Sequence, residues 1–203
     1  RVTDCLKAEG IAFRVFTDIQ PNPTIGNVQD GVETYRTTKA DSIVAIGGGS
    51  VIDTAKAIGI IAANPEFSDV RSLEGETRTE HHATFTIAVP TTAGTAAETT
   101  TSYVIADAER RRMLVCIDEH AVPEVAVVDS RMMETMPVSL IASTGMDALA
   151  HAVEGYLTHA AWDMTDMFHL HAIELICTHL RGAVARDASD MEKIALAQYV
   201  SGM

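Results

Sequence analysis

The stretch that most constrains this chain is residues 42–57, SIVAIGGGSVIDTAKA. Residues 43–46 form a short run rich in β-branched side chains, which predicts a buried strand. The run ends abruptly in Gly47, Gly48, Gly49 and Ser50, and a helical pattern starts at once from Val51. Glycines let the backbone turn sharply and leave no Cβ between the peptide N–H groups and a ligand. The helix behind them aims its unpaired N–H groups and the positive end of its dipole at the turn. That arrangement suits a pyrophosphate. A tight strand-to-helix turn with no ligand is the competing explanation, but three consecutive glycines cost chain entropy, so the ligand is favoured.

Read from its start, the chain predicts a helix over residues 2–8 that ends at Gly10, then a strand over 11–16. Pro21 and Pro23 make residues 20–24 a loop, because each disfavours helical geometry in the residue before it. Thr24 is placed to cap a helix carrying Val28, Val32 and Tyr35. The helix from Val51 runs to about Ala63, where Asn64 and Pro65 stop it. Residues 69–82 read as a polar surface excursion. Residues 85–89 are a second β-prone run, closed by Pro90 and followed by the small and hydroxyl-rich segment PTTAGTAAETT at 90–100. Residues 102–105 and 113–117 read as a strand pair, and 125–129 as a further buried strand with an acid at its C-terminal end. Beyond Pro137 no strand is expected, and helices are predicted over about 146–158, 165–181 and from about 189 onward. Strands alternating with helices and then giving way to them place the chain in the α/β class.

Charge narrows the function. A formal net charge of −13 over 203 residues argues against nucleic acid and anionic membrane surfaces as partners. Cys5, Cys116 and Cys177 are widely spaced in apolar surroundings and read as small core residues of a reducing compartment, without disulfide or zinc spacing. No apolar run reaches membrane-spanning length and no signal peptide opens the chain, so the cytoplasm is the expected location. Arg1 stands where an initiator Met would be, and the chain reads as beginning and ending inside domains.

The second informative stretch is residues 144–155, TGMDALAHAVEG. Asp147 and His151 stand four apart, so a helix stacks both on one face. A carboxylate and an imidazole at that spacing can share a metal ion. They can equally form a buried Asp–His hydrogen bond or an exposed pair, and two ligands fall short of the three or four a protein site holds. His81 and His82 read as solvated, and His169 and His171 point in different directions on a helix, so none is a third ligand. No Gly-x-Ser-x-Gly elbow, Cys/His pair or Walker lysine supports hydrolase or kinase chemistry.

Taken together, four ordered segments carry a resemblance across essentially the whole chain. These are Pro21-Asn22-Pro23-Thr24; Gly47-Gly48-Gly49-Ser50 with Asp53 and Lys56; Pro90-Thr91-Thr92-Ala93-Gly94-Thr95 with Glu98; and Gly145-Met146-Asp147-Ala148-Leu149 with His151 and Glu154. The chain resembles the iron-containing (group III) alcohol dehydrogenases, and residues 64–67 and 69–75 resemble the lactaldehyde-reducing branch. The resemblance implies a Rossmann-like NAD-binding α/β domain over residues 1–136, its first strand missing, and the truncated start of a helical metal-binding domain over 137–203. It implies that Asn22, Gly48, Gly49, Ser50, Thr91, Thr92 and Thr100 contact NAD, and that Asp147 and His151 hold a divalent metal, Fe(II) first and zinc second. The implied reaction moves a hydride between NAD(H) and a small alcohol or aldehyde, lactaldehyde and 1,2-propanediol foremost, in a homodimer when full length. No side chain of this chain receives a catalytic role. Relatives carry two further metal-binding histidines in a segment that would lie beyond residue 203, so the chain by itself is expected to bind metal weakly and to be inactive. Two departures stand out: Met113 replaces a usual lysine and Ser102 a common asparagine. The alternatives are an inactive nucleotide-binding fragment or a relative of glycerol dehydrogenase, the latter opposed by the Asp147–His151 spacing with the 91–95 loop.

Overall fold

Two of the long helices, those over Ile25–Thr38 and Ala188–Ser201, start at a capping side chain, whereas the helix that matters for the site starts without one. The computed structural model describes residues 2–202; Arg1 and Met203, the outermost residues of the two expected domains, lie outside the described residues. Helix α1 spans Val2–Ala8 and α2 spans Ile25–Thr38. Thr24 caps α2 as the sequence predicts: its Oγ1 accepts from the Asn27 N–H at 3.3 Å, and its own N–H donates to Asn27 Oδ1 at 3.1 Å. Each partner satisfies a donor that the helix start would otherwise leave bare. Strand β1 (Ile43–Gly47) runs into α3 (Gly49–Ala63), whose cap is Gly48 and whose N-terminus receives no side-chain hydrogen bond. At the other end, the Asn64 amide donates to the Ile60 and His81 carbonyls and accepts from the His81 N–H, pinning the helix end to the chain that follows.

Two three-stranded sheets flank this helix. In the first, β1 pairs in parallel with β3 (Thr86–Pro90), which pairs in parallel with β6 (Val125–Ala126). The β1–β3 register runs from Ile43 opposite Thr86 to Gly47 opposite Pro90, so both strands end level. In the second, β4 (Ser102–Asp107) and β5 (Arg112–Ile117) form an antiparallel hairpin, and β2 (Gly75–Glu76) joins the edge of β5. Helix α3 is buried nearly all round, which its apolar composition on every face requires. Ile52 and Ile60 are wholly inaccessible, and each such burial contributes about 1.5–3 kcal/mol. Val28, Val70, Leu73, Ile105 and Leu114 complete the core around α2 and α3.

Three helices follow: α4 (Val138–Leu157), α5 (Asp163–Val184) and α6 (Ala188–Ser201). They enclose a second core of Met133, Ile141, Ala148, Ile176, Ile194 and Ala197, which reaches back to Ala93. Helix α4 begins eight residues earlier than its sequence pattern suggests, directly after Pro137.

Several expectations fail for identifiable reasons. Residues 11–16 form no strand: no described strand lies alongside to complete a ladder, and Ile11, Phe13 and Val15 stay exposed. Residues 69–82 are more than a surface excursion, because Val70 and Leu73 are fully buried and Gly75–Glu76 pairs with β5. The strand expected at 125–129 shrinks to the two residues of β6, both exposed, since only β3 pairs with it. Of the cysteines only Cys116 is buried; Cys5 and Cys177 face solvent on their helices, and all three are free.

Candidate functional site

The level ends of β1 and β3 put the glycine turn and the threonine-rich loop side by side at the carboxyl edge of a parallel sheet, where α/β folds bind ligands. The Thr91 N–H donates to the Gly47 carbonyl at 2.9 Å and ties the loop to the turn. A Cβ on Gly48 would come within 3.1 Å of the Thr92 side chain, and one on Gly49 within 2.9 Å of Thr95. The missing side chains therefore admit the threonines, while the backbone N–H groups at the start of α3 stay free of side-chain caps. A cleft of about 430 Å³ opens beside them, lined by Thr91, Thr92, Met132, Thr135, Met136, Pro137 and Leu140. Its size is that of a small-molecule site. The structure thus gathers Gly48, Gly49, Ser50, Thr91 and Thr92 in one place, with an uncapped helix start that fits an anionic pyrophosphate.

Thr100 and Asn22 stand differently. The Lys56 ammonium donates to the Thr100 carbonyl at 2.6 Å, to Thr100 Oγ1 at 3.0 Å and to the Ser102 carbonyl at 3.0 Å. The Thr100 hydroxyl in turn donates to the Ser102 carbonyl at 3.1 Å, so its proton is engaged within the protein. Asn22 is exposed on a separate loop with a left-handed backbone (φ 56°), and that loop is anchored to β4 by the Ala106 N–H donating to Pro23 at 2.7 Å. The two departures from the family pattern lie in this hairpin, Ser102 at its start and Met113 exposed on β5.

A buried polar network lies under the loop. Lys56, wholly covered, faces two carboxylates, Asp53 on its own helix and Glu98 on the loop. Burial pushes Asp53 up to about 6 against the pull of the Val104 N–H and Lys56. Burial likewise lowers Lys56 to about 8 although Asp53 and Glu98 favour its charge. Glu98 is raised, again chiefly by burial. The Gln198 side chain on α6 donates its amide N–H to Glu98 Oε1, while its carbonyl accepts from the Gly94 N–H at 3.1 Å and the Ala96 N–H at 3.0 Å. Sequence reasoning passes over Gln198; the available signal is a long polar side chain at a buried position of a mostly apolar helix face.

On α4, Asp147 Oδ1 and His151 Nε2 lie 3.9 Å apart with side chains 44% and 40% exposed. Of the three arrangements open to this pair, the buried hydrogen bond is excluded. The donor types, carboxylate and imidazole, fit a divalent metal, and the pair is open to solvent on one helix face. Among the described residues no group of three or more His, Cys, Asp or Glu side chains is placed to hold a metal. Several other imidazoles are engaged elsewhere: His179 meets Asp190 at 2.6 Å, His171 meets Glu174 at 3.7 Å, His82 packs at a tilt against His120, and His169 is buried.

Comparison with known proteins agrees with this architecture. The family model for iron-containing alcohol dehydrogenase matches residues 1–130, and the C-terminal model of the Fe-containing alcohol dehydrogenase family matches 141–203. The chain is 53% identical over 203 residues to a lactaldehyde reductase of Escherichia coli (strain K12), covering 100% of this chain and 53% of that protein. It superposes on an alcohol dehydrogenase from Oenococcus oeni with TM-score 0.94 and 36% identity, over 98% of this chain and 52% of the other. The sulfoacetaldehyde reductase from Bifidobacterium kashiwanohense, solved in complex with NAD+, gives TM-score 0.89 and 30% identity over 98% and 55% of the two chains. The chain spans about half the length of the relatives it matches. With a Rossmann-like α/β part followed by a helical part, and a family model matched over residues 1–130, this chain belongs to the iron-containing alcohol dehydrogenase family.

Proposed function

We propose that this chain is the cofactor-binding part, with the start of the metal-binding part, of an NAD-dependent oxidoreductase that interconverts a small aldehyde and its alcohol. The observation that carries the reading is the uncapped start of α3 beside the threonine-lined cleft at the ends of β1 and β3. The pyrophosphate of NAD would sit on the N–H groups of Gly48, Gly49 and Ser50, with Thr91 and Thr92 along the cleft beyond it. Thr100 would act through its backbone position at the loop exit, and Asn22 from the neighbouring loop. Residues 1–136 would make the dinucleotide domain and 137–203 the opening of the metal domain.

Asp147 and His151 would hold a divalent metal, Fe(II) foremost, together with ligands from elsewhere in the whole protein. When bound, such an ion acts as a Lewis acid toward the substrate oxygen. Reduction consumes the hydride of NADH and one proton and gives NAD+ and the alcohol. This chain's residues bind and orient the dinucleotide. The lactaldehyde reductase relative favours lactaldehyde and 1,2-propanediol as the pair. The net charge of −13 speaks against nucleic acid as a partner, and among the described residues no helix is long and apolar enough to cross a membrane. The free cysteines suit a cytoplasmic enzyme, and a homodimer is the proposed assembly.

The test is to strip the full-length protein of metal, resupply Fe(II), and follow NADH oxidation with lactaldehyde. Turnover that depends on the metal is expected. No turnover with any small aldehyde or diol overturns the reading. Asp147→Ala should abolish metal retention, measured by elemental analysis of the purified protein, while leaving NADH binding in place. Light scattering of the same preparation decides the dimer.

A further inference from the structure

We infer that Gln198, Glu98 and Lys56 are positioning residues that set the threonine loop for the half of the cofactor beyond the pyrophosphate. The inference rests on the proposed dinucleotide site and deepens it. The loop between β3 and β4 is held at both ends by the strand part: the Gly47–Thr91 hydrogen bond at its entry, and the Lys56 clamp on Thr100 and Ser102 at its exit. Its middle belongs to the helical part. Gln198 of α6 takes two loop donors, from Gly94 and Ala96, on one carbonyl oxygen and gives its amide N–H to Glu98. All four groups are buried, Gln198 completely and Glu98 to within 1%. A single side chain from the helical part therefore satisfies three polar groups of the loop in a place water does not reach.

Glu98 Oε2, by contrast, has no partner, although the residue is buried next to the Lys56 ammonium. A buried carboxyl hydrogen-bonded on one oxygen only is an expensive arrangement, and such an exception calls for an explanation. Here the explanation is the geometry of the loop that carries Thr91 and Thr92 into the cleft. The glycine turn depends on α6 less directly, because the β1–β3 ladder carries the chain to Gly47 without it and α6 reaches the turn only through the loop. The two halves of the dinucleotide site thus differ in their support.

The consequence is a split in binding. ADP-ribose, which contains the pyrophosphate but no nicotinamide, reports on the glycine turn alone; NADH reports on turn and loop together. In the full-length protein, Gln198→Leu removes all three of the side chain's hydrogen bonds and should weaken NADH by about tenfold or more, while leaving ADP-ribose within about twofold. Both are read by calorimetry. Glu98→Leu should reproduce the split, and Glu98→Gln, which keeps an acceptor for the Gln198 amide, should recover the NADH affinity. The Glu98 pair stands independently if the Gln198 variant does not fold. Equal weakening of both ligands, or unchanged NADH affinity in Gln198→Leu and Glu98→Leu, overturns the inference while leaving the dinucleotide site intact. Wild-type protein that binds neither ligand overturns the oxidoreductase reading, and this inference with it.

Discussion

Gly94 sits where the threonine loop crosses α4, and replacing it by alanine tests how rigidly the two parts of the molecule meet. A Cβ at Gly94 would lie 2.7 Å from the Thr144 carbonyl oxygen, 2.7 Å from its Cβ and 3.0 Å from its Cα. Two of these three atoms are backbone within a continuous helix, so no rotamer change relieves the contact. Overpacking of this kind costs about 1–3 kcal/mol. Against it stands the gain from a stiffer unfolded chain, about 0.4–1 kcal/mol for Gly→Ala. The backbone at Gly94 is not left-handed, so no strain is added. The balance is a net loss on the order of 1–2 kcal/mol, which lowers the unfolding midpoint by roughly 2–8 °C for a protein of this size. Gly26→Ala is the internal control. It lies in the first turn of α2, where the added Cβ meets only Thr24 Oγ1 at an ordinary 3.6 Å. It should raise the midpoint by a few degrees, through helix propensity and the unfolded chain. Thermal unfolding followed by circular dichroism on both variants decides the matter. A Gly94→Ala protein as stable as wild type would refute the close approach of loop and helix and the positioning argument built on it.

Three further expectations are simpler. Thr24→Ala removes the cap of α2 and leaves the Asn27 backbone N–H without its acceptor, and should lower stability by about 1 kcal/mol in urea unfolding. Arg71, bonded to Asp107 at 2.6 and 3.2 Å, holds that carboxyl down from 3.8 to about 2, so the contribution is complete above pH 3.8 and is lost as pH falls toward 2. Unfolding midpoints measured from pH 5 to pH 2 should therefore fall more steeply in wild type than in Arg71→Gln. His151→Ala should match Asp147→Ala in metal content, and an imidazole-independent metal load would remove that residue from the proposed site.

What the residues alone determined about this protein is local. A β-branched run into three glycines dictated the strand–turn–helix around Gly48, because turn geometry and helix dipole depend on neighbours in the chain. Thr24 dictated a helix start for the same reason, and the four-residue spacing put Asp147 and His151 on one face. The tertiary structure decided whatever needs a partner distant in sequence. Residues 11–16 have strand composition, yet a strand forms only with a neighbour to complete its hydrogen bonds, and no described strand supplies one. Val70 and Leu73 looked like parts of a polar excursion until the core of α2 and α3 closed over them. Gln198 stands about a hundred residues from the loop it holds, and nothing in the spacing of α6 indicates that its amide completes Gly94, Ala96 and Glu98. Burial did that: once α6 covers the loop, each buried N–H and carboxylate requires a hydrogen-bond partner, and only the folded chain determines which side chain provides it.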